Sequence, residues 1–431
     1  MGIIAVKGTN DIYNEQAEGI NYIEELFSAV CNLYGYRRMD TPILEYTEVF
    51  DRSSGDSSDV VRKEMYTFLD KGNRSVTMRP EFTAGIARCI NEHKLYATEE
   101  LPIKAFYYGP AFRYERPQLG RYRQFLQAGV ECVGVDSARF DAETICLAVS
   151  FLQMLGFEQV KIKINSLGDE ASRKAYREAL TSYFSAHIDS MCEDCHERIK
   201  LNPLRILDCK VPHDHELAEG APKMKDYLTP ESEKRFYQTL SILADNGVDY
   251  EVDDSLVRGL DYYSEVVFEV SVLSSAGQDY GAVMGGGHYD GLLSALGGPQ
   301  MAGVGFAFGL ERLYLLMKDK GLLGEPEGLD IYLMPVGEGV LDEAFALAQV
   351  VRSLGFSCFL PDKSGKLGSQ FKKAERRKAK FALILGEEEL SRGVAQLKNM
   401  KTQVQKEINL EDIEDELDEA FGESQHHHHE E

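Results

Sequence analysis

Residues 111–131 read AFRYERPQLGRYRQFLQAGVE, and the fold class turns on this stretch. Apolar-rich runs at 103–109 and 122–133 predict two β-strands, and the loop between them is bent by Pro117 and Gly120. Four arginines crowd in and beside that loop: Arg113, Arg116, Arg121 and Arg123. Guanidinium forks match phosphate oxygens two at a time, so this density points to a polyphosphate or an RNA end. The return strand alternates. Leu126, Ala128, Val130 and Cys132 would face a core, and Gln127, Gly129 and Glu131 the other side. Two polar groups flanking a glycine make a pocket floor, with Gly129 leaving room for a ligand. A solvated polar face beside a basic hairpin fits the same spacing, so the stretch alone decides the strand pair and not its purpose.

Outward from this hairpin the pattern is mixed. Ile20, Ile23, Leu26, Phe27 and Val30 recur at helical spacing and predict an amphipathic helix over 17–35, before the extended run RRMDTPILE, where Pro42 excludes a continuing helix. Strands follow at MYTFLD and SVTMRP, then a helix over 141–156 and the strand QVKIKIN. Residues 168–250 read as a mostly helical insertion. Strands return at 256–270 and 280–286, and a helix begins near Phe308. The Gly/Pro-rich run GLLGEPEGLD, 321–330, marks a domain boundary. Beyond it strand and helix alternate (DIYLMPV, 340–354, FSCFL, 368–379, FALILG), which predicts a small α/β domain. Residues 422–431 read as a solvated, disordered acidic and histidine tail.

The chain has 431 residues and a net charge of −24. Residues 407–431 hold eleven acidic and no basic side chains, which leaves 47 basic against 60 acidic, or −13, elsewhere. That balance disfavours non-specific DNA binding but permits a specific RNA partner, because phosphate contacts are local and screened. From Lys363 to Lys380 eight basic residues face one acidic, Glu375, a stripe suited to RNA, with Phe371 available for packing or base stacking. A solvated basic helix fits that stripe equally. No run approaches the roughly 18 apolar residues of a membrane span, and no basic n-region opens the chain, so cytoplasm is the expectation. Eight cysteines are too sparse for a disulfide-stapled fold. Cys192, Cys195 and Cys209, with His213 and His215 downstream, could supply four zinc ligands, but there is no second CxxC, and free thiols in a loop are the plainer reading.

Three further segments carry special residues. SLVRGLDYYSEVVFEV (255–270) places Arg258 and Asp261 at a turn before Tyr262 and Tyr263; YGAVMGGGHYDGL (280–292) stacks three glycines before His288; AGVGFAFGLERL (302–313) runs small residues into Glu311 and Arg312. Consecutive glycines let a ligand or backbone approach closely, though no Gly-Lys-Ser/Thr follows to make a P-loop. Taken together, the chain resembles the histidyl-tRNA synthetases, class II aminoacyl-tRNA synthetases, along nearly its whole length. GYRRMDTPILE looks like motif 1, FRYERPQLGRYRQF like motif 2 and GFAFGLERL like motif 3. LVRGLDYYSEVVFE and GGGHYDGL look like the two histidine-enzyme signatures, and TMRPEFTAGIAR like the amino-acid-binding segment.

The resemblance implies an α+β protein: a catalytic domain over 1–325, built on an antiparallel six-stranded sheet with the helical insertion, then an anticodon-binding α/β domain over 329–421. It implies a homodimer whose substrates are L-histidine, ATP with Mg²⁺, and tRNA(His). Glu81, Thr83 and Gln127 would hold the α-ammonium of histidine, and Glu131 and Tyr263 its imidazole nitrogens, with Tyr262 beside them. Arg113 and Arg258 would clamp the α-phosphate. Glu115, Arg121, Phe125 and Arg312 would complete the ATP site, with Phe125 on adenine, while Arg116 and Gln118 would meet the tRNA acceptor end. No resident metal ligand follows from it. His288 departs from the arginine common in GGGRYD, and Leu126 from a frequent histidine. Two silent relatives remain as alternatives, a regulatory subunit of ATP phosphoribosyltransferase and a tRNA-sensing module. The first lacks an anticodon domain and usually has a degraded arginine motif; the second needs a kinase that this chain does not contain.

Overall fold

The computed structural model of the chain describes residues 2–54, 63–117, 120–257, 260, 262–273, 279–324 and 328–426. Two of the expected site residues, Gln118 and Arg258, lie outside them. The chain divides into two compact units, Met1–Gly324 and Glu325–Glu431.

In the first unit the strands run β1 (Arg37–Arg38), β2 (Leu44–Tyr46), β3 (Tyr66–Leu69), β4 (Ser75–Met78), β5 (Ile103–Phe112), β6 (Gln124–Val133), β7 (Val160–Ser166), β8 (Tyr250–Val252), β9 (Tyr263–Leu273), β10 (Asp279–Tyr289) and β11 (Gly303–Gly309). Eight of them form one sheet in the order β1-β5-β6-β11-β10-β9-β7-β8. The six inner strands are antiparallel throughout, and each edge is extended by a short parallel strand, β1 on β5 and β8 on β7. Both faces of this sheet are largely covered: Gln127–Val133 of β6 are buried on either side. Ala128, Val130 and Cys132 of β6 point into the main core, where Phe27 meets Phe106, Phe151, Phe306 and Phe308 at ring-centroid distances of 5.0–6.5 Å. Phe27 comes from the helix Glu15–Leu33, whose buried stripe is Ile20, Ile23, Phe27 and Val30. Truncating such a residue to alanine costs about 3–5 kcal/mol.

A separate small sheet, β2-β4-β3, is tied to the main one by Arg79. Its guanidinium donates to the carbonyls of Pro110 (2.8 Å) and Thr41 (2.7 Å) and lies 3.7 Å over the ring of Phe82.

The insertion is helical: Glu170–Ser185, Glu193–Leu201, Pro212–Glu219 and Pro230–Asp245. Asp169 and Thr229 cap the first and last of these by accepting from Ser172 N (2.7 Å) and Ser232 N (3.3 Å). The first three helices build a core of their own, with Tyr176, Leu180, Phe184, Cys195 and Ile206 packed on Leu256, Tyr263 and Val267. The last helix instead sends Phe236, Leu240 and Leu243 into the main core.

The second unit is a five-stranded sheet, β13-β12-β14-β15-β16, from β12 (Ile331–Val336), β13 (Cys358–Phe359), β14 (Phe381–Gly386), β15 (Val394–Asn399) and β16 (Gln405–Asn409). The first three strands are parallel and the last two add an antiparallel hairpin. Helices Leu341–Ser353 and Ile413–His426 cover one face, and Leu367–Arg376 the other. The sequence reading misses that hairpin. In the structure Ile413, Leu417 and Ala420 are buried at helical spacing while the acidic residues between them face out. The helix is described as far as His426. All eight basic residues of 363–380 are exposed, whereas Phe371 packs against Tyr332 and Met334 with the Lys398 ammonium 4.7 Å over its ring, so it serves packing.

Candidate active site

On the face of the large sheet opposite the main core lies a cavity of about 490 Å³. Its floor is the alternate face of β6, as the spacing predicts: Gln127 and Glu131 line it. Gly129 does not. A side chain there would strike the ring and hydroxyl of Tyr107, which β5 places directly opposite. The glycine therefore makes room for a tyrosine and not for a ligand. A second glycine has the matching task. Gly305 of β11 pairs with Glu131, and a Cβ at Gly305 would collide with the Glu131 carboxylate.

Glu131 is 2% exposed and surrounded by hydroxyls. Oε1 accepts from Thr83 Oγ1 (2.6 Å) and Tyr107 (3.2 Å), and Oε2 from Tyr289 (2.8 Å). Burial pushes this carboxyl up to about 8, against the pull of the three hydroxyl donors, and nearby Glu81 adds to the rise. Glu81 is buried as well. Its carboxylate caps the helix Thr83–Glu92 through Thr83 N (2.5 Å) and Ala84 N (3.0 Å), yet burial still holds its pKa above the usual carboxylate value. Tyr262 and Tyr263 stand in the same wall with ring centroids 4.6 Å apart, and Tyr289 meets Tyr262 edge-on at 5.7 Å. Gln127 is 8% exposed, and its amide oxygen has no hydrogen-bond partner among the described residues. A buried acceptor of this kind is costly unless something fills it, and Gln127 lines the cavity.

The other end of the cavity is cationic. Arg113, Arg121 and Arg312 line it, with Phe125 and Glu115. Arg113 is oriented by its Nε donating to Pro80 O (2.8 Å), and its guanidinium carbon lies 5.4 Å from the Phe125 ring centroid. Crowding by Arg121 and burial together hold the Arg312 pKa below its usual value, burial being the larger cause. The four arginines of the hairpin thus divide. Arg116 is exposed and outside the lining, and Arg123 braces the loop through Glu115 O (3.2 Å) and the Tyr114 ring (3.8 Å).

Sequence reasoning gives no task to several residues in and around the cavity, Tyr107 and Tyr289 among them. Arg205 reaches the cavity wall from the insertion. Glu311, at the start of the helix Leu310–Asp319, accepts from Leu126 N with both oxygens (2.8 and 3.0 Å), which fixes β6 between Phe125 and Gln127. His288 is buried behind the site, its ring nitrogens 2.9 Å from Asp141 and 2.9 Å from Asp290. Burial works against its protonation, but these two carboxylates prevail and lift its pKa to about 9. It therefore holds a positive charge where an arginine would.

The chain's similarity to known proteins matches this geometry. The histidyl-tRNA synthetase family model matches residues 8–313, and the anticodon-binding domain model residues 330–420. The histidine–tRNA ligase of Anoxybacillus flavithermus is 45% identical over 408 residues, covering 94% of this chain and 96% of that one. The Bacillus subtilis histidine–tRNA ligase is 44% identical over 417 residues, 96% of this chain and 98% of that one. Among solved structures, the apo histidyl-tRNA synthetase of S. aureus superposes with a TM-score of 0.83 at 36% identity, covering 96% of this chain and all of that one. With the family model covering well over half its length, the chain belongs to the histidyl-tRNA synthetase family.

Proposed function

We infer that this chain is a histidine–tRNA ligase: it joins L-histidine to ATP, releasing pyrophosphate, and transfers histidine from the adenylate to the 3′ end of tRNA(His). The observation that carries this is one cavity with two chemically opposite ends, a buried carboxyl nest at Glu131 and an arginine end at Arg113, Arg121 and Arg312. Glu131 and Tyr263 pair with the imidazole nitrogens of histidine, and Tyr262 closes the pocket beside them. The orphaned oxygen of Gln127 accepts from the α-ammonium, with Glu81 and Thr83 nearby. A site that satisfies both imidazole nitrogens rejects side chains that leave its own buried groups unpaired.

The histidine carboxylate oxygen attacks the α-phosphorus in line, forming the mixed anhydride as the bond to the β-phosphate oxygen breaks. Negative charge grows on the equatorial oxygens, where Arg113, joined by Arg258, neutralises it; fixed cations suffice because no proton need move. Arg121 and Arg312 receive the departing pyrophosphate, Phe125 stacks on adenine, and Glu115 lies beside it. Mg²⁺ enters as part of the ATP substrate. Arg116 and Gln118 meet the acceptor end of tRNA(His), and the exposed basic stripe of 363–380 meets its anticodon stem.

A homodimer in the cytoplasm completes the reading. Exposed Leu44, Tyr46 and Phe68, on one face of the small sheet, give a dimer an apolar surface to bury. No helix among the described residues is long and apolar enough to cross a membrane. The deciding experiment is ATP–pyrophosphate exchange with each of the twenty amino acids offered separately. Exchange with histidine alone is expected. Absence of exchange from folded protein supplied with Mg²⁺ would move the chain to the regulatory or tRNA-sensing relatives.

A further inference from the structure

The cysteines of the insertion converge. Cys192 is the N-cap of the helix Glu193–Leu201, and Cys195 lies in its first turn. Cys209 follows the turn Pro203–Asp208, and Asp214 lies in the first turn of Pro212–Glu219. Three sulfurs and one carboxylate oxygen from these residues all lie within 4.8 Å of one another. Cys192 Sγ is 3.9 Å from Cys209 Sγ, and Cys209 Sγ is 3.5 Å from Asp214 Oδ2. A tetrahedral ion with metal–sulfur bonds of about 2.3 Å and a metal–oxygen bond of about 2.0–2.2 Å sets its donors roughly 3.5–3.8 Å apart. The donors are already at ligand spacing, and all three cysteines are free thiols.

The carboxylate gives a second, independent sign. Asp214 is 1% exposed; Oδ2 accepts from Cys192 N (3.0 Å), but Oδ1 has no hydrogen-bond partner among the described residues. Burying a carboxylate with an unused oxygen among thiols is unfavourable unless a cation joins it. Cys192, Cys195 and Asp214 also sit at two helix N-termini, where the macrodipole favours the anionic forms that a metal needs. The sequence suggests His213 and His215 as completing ligands, and the structure replaces them. His213 faces Ser190 (3.3 Å) and His215 faces Glu219 (4.0 Å), while the aspartate between them turns inward.

We propose that Cys192, Cys195, Cys209 and Asp214 bind one zinc ion in a closed, structural site. Sulfur ligands select a thiophilic ion; the carboxylate selects a divalent one over Cu(I), and four protein donors leave no open position for catalysis. Each ligating thiol gives its proton to solvent on binding, so affinity rises with pH. The ion ties both helix starts to the turn Pro203–Asp208. That turn carries Arg205 into the active-site wall and packs Ile206 and Leu207 in the core shared with Tyr263. The ion thereby fixes one side of the histidine pocket without touching substrate.

Cobalt reports the site directly. The full chain is reduced, stripped with chelator and titrated with Co²⁺, with absorption recorded. Expected is about one equivalent showing thiolate-to-cobalt charge transfer and intense tetrahedral d–d bands. The histidine run 426–429 also binds cobalt but cannot produce the thiolate band. Cys195→Ser should lose that band, and Cys358→Ser, in the other unit, should keep it. Should Cys195→Ser fail to fold, Asp214→Asn preserves the side-chain shape and should weaken cobalt binding at least about ten-fold while retaining thiolate absorption. Absence of a thiolate band from folded, fully reduced protein overturns the proposal and leaves hydrogen-bonded thiols. A band that survives unchanged in both Cys195→Ser and Asp214→Asn overturns it as well.

Discussion

The two ends of the cavity are built in different ways. At the carboxyl end the sheet places most of the polar atoms, and the start of the helix Thr83–Glu92 adds the Thr83 hydroxyl. Glu131 comes from β6, Tyr289 from β10 and Tyr107 from β5, and Gly305 leaves the space the carboxylate occupies. At the arginine end the cations come from a loop and a helix start, and Arg113 has its guanidinium plane set by a carbonyl, that of Pro80. Discrimination among side chains needs groups that cannot relax around a wrong ligand, and a hydrogen-bonded sheet supplies them. Stabilising charge on phosphate needs cations aimed at a volume, which a loop and a helix start can provide.

If this division is right, the two ends fail differently. Arg113→Ala should lower kcat for ATP–pyrophosphate exchange by about 10²–10³ and leave histidine binding, measured by calorimetry, nearly unchanged. Loss of histidine binding together with kcat would show that the ends are one unit. Glu131→Gln should raise the KM for histidine by roughly 10–100-fold with a smaller change in kcat, since glutamine keeps the shape but cannot offer two acceptors.

The same variant tests the burial of the carboxyl. Unfolded, Glu131 ionises near 4.5, and folded near 8, so over that window the native state holds a proton the unfolded chain has released. Its contribution to stability is complete below the lower value and is lost as pH rises to the upper one. Wild type should therefore lose stability relative to Glu131→Gln between those limits, by on the order of a few kcal/mol, as read from urea midpoints. A pH-independent difference would mean that the empty site already holds a carboxylate.

The contrast also explains what was legible in the sequence. Strand alternation exposed Gln127 and Glu131, and the arginine-rich hairpin announced the cationic end. Tyr107 and Tyr289 stayed hidden because a buried hydroxyl reveals its purpose only through register, here Tyr107 opposite Gly129. Arg205 and Asp214 lie in the insertion, and no local spacing tells which side of a short helix turns inward. The helix Ile413–His426 was concealed by acidic residues, although Ile413, Leu417 and Ala420 keep a spacing that periodicity could have caught.

The smallest expected effect is the sharpest probe of the sheet-built end. Tyr289→Phe removes the 2.8 Å donor to Oε2, and Tyr107→Phe the longer 3.2 Å donor to Oε1, which Thr83 also supplies at 2.6 Å. A hydrogen bond to a charged group contributes about 1.5–3 kcal/mol and an ordinary one about 1 kcal/mol. Oε2 loses its one protein hydroxyl in Tyr289→Phe, so the KM for histidine should rise roughly ten-fold, and the carboxyl, less well solvated, should titrate higher still. Oε1 keeps Thr83 in Tyr107→Phe, whose ring remains stacked on Phe82 at 4.4 Å, so KM should move about three-fold or less. Equal effects from the two variants would mean that the carboxyl rotates to share its donors, and that the nest selects histidine by total hydroxyl count instead of by position.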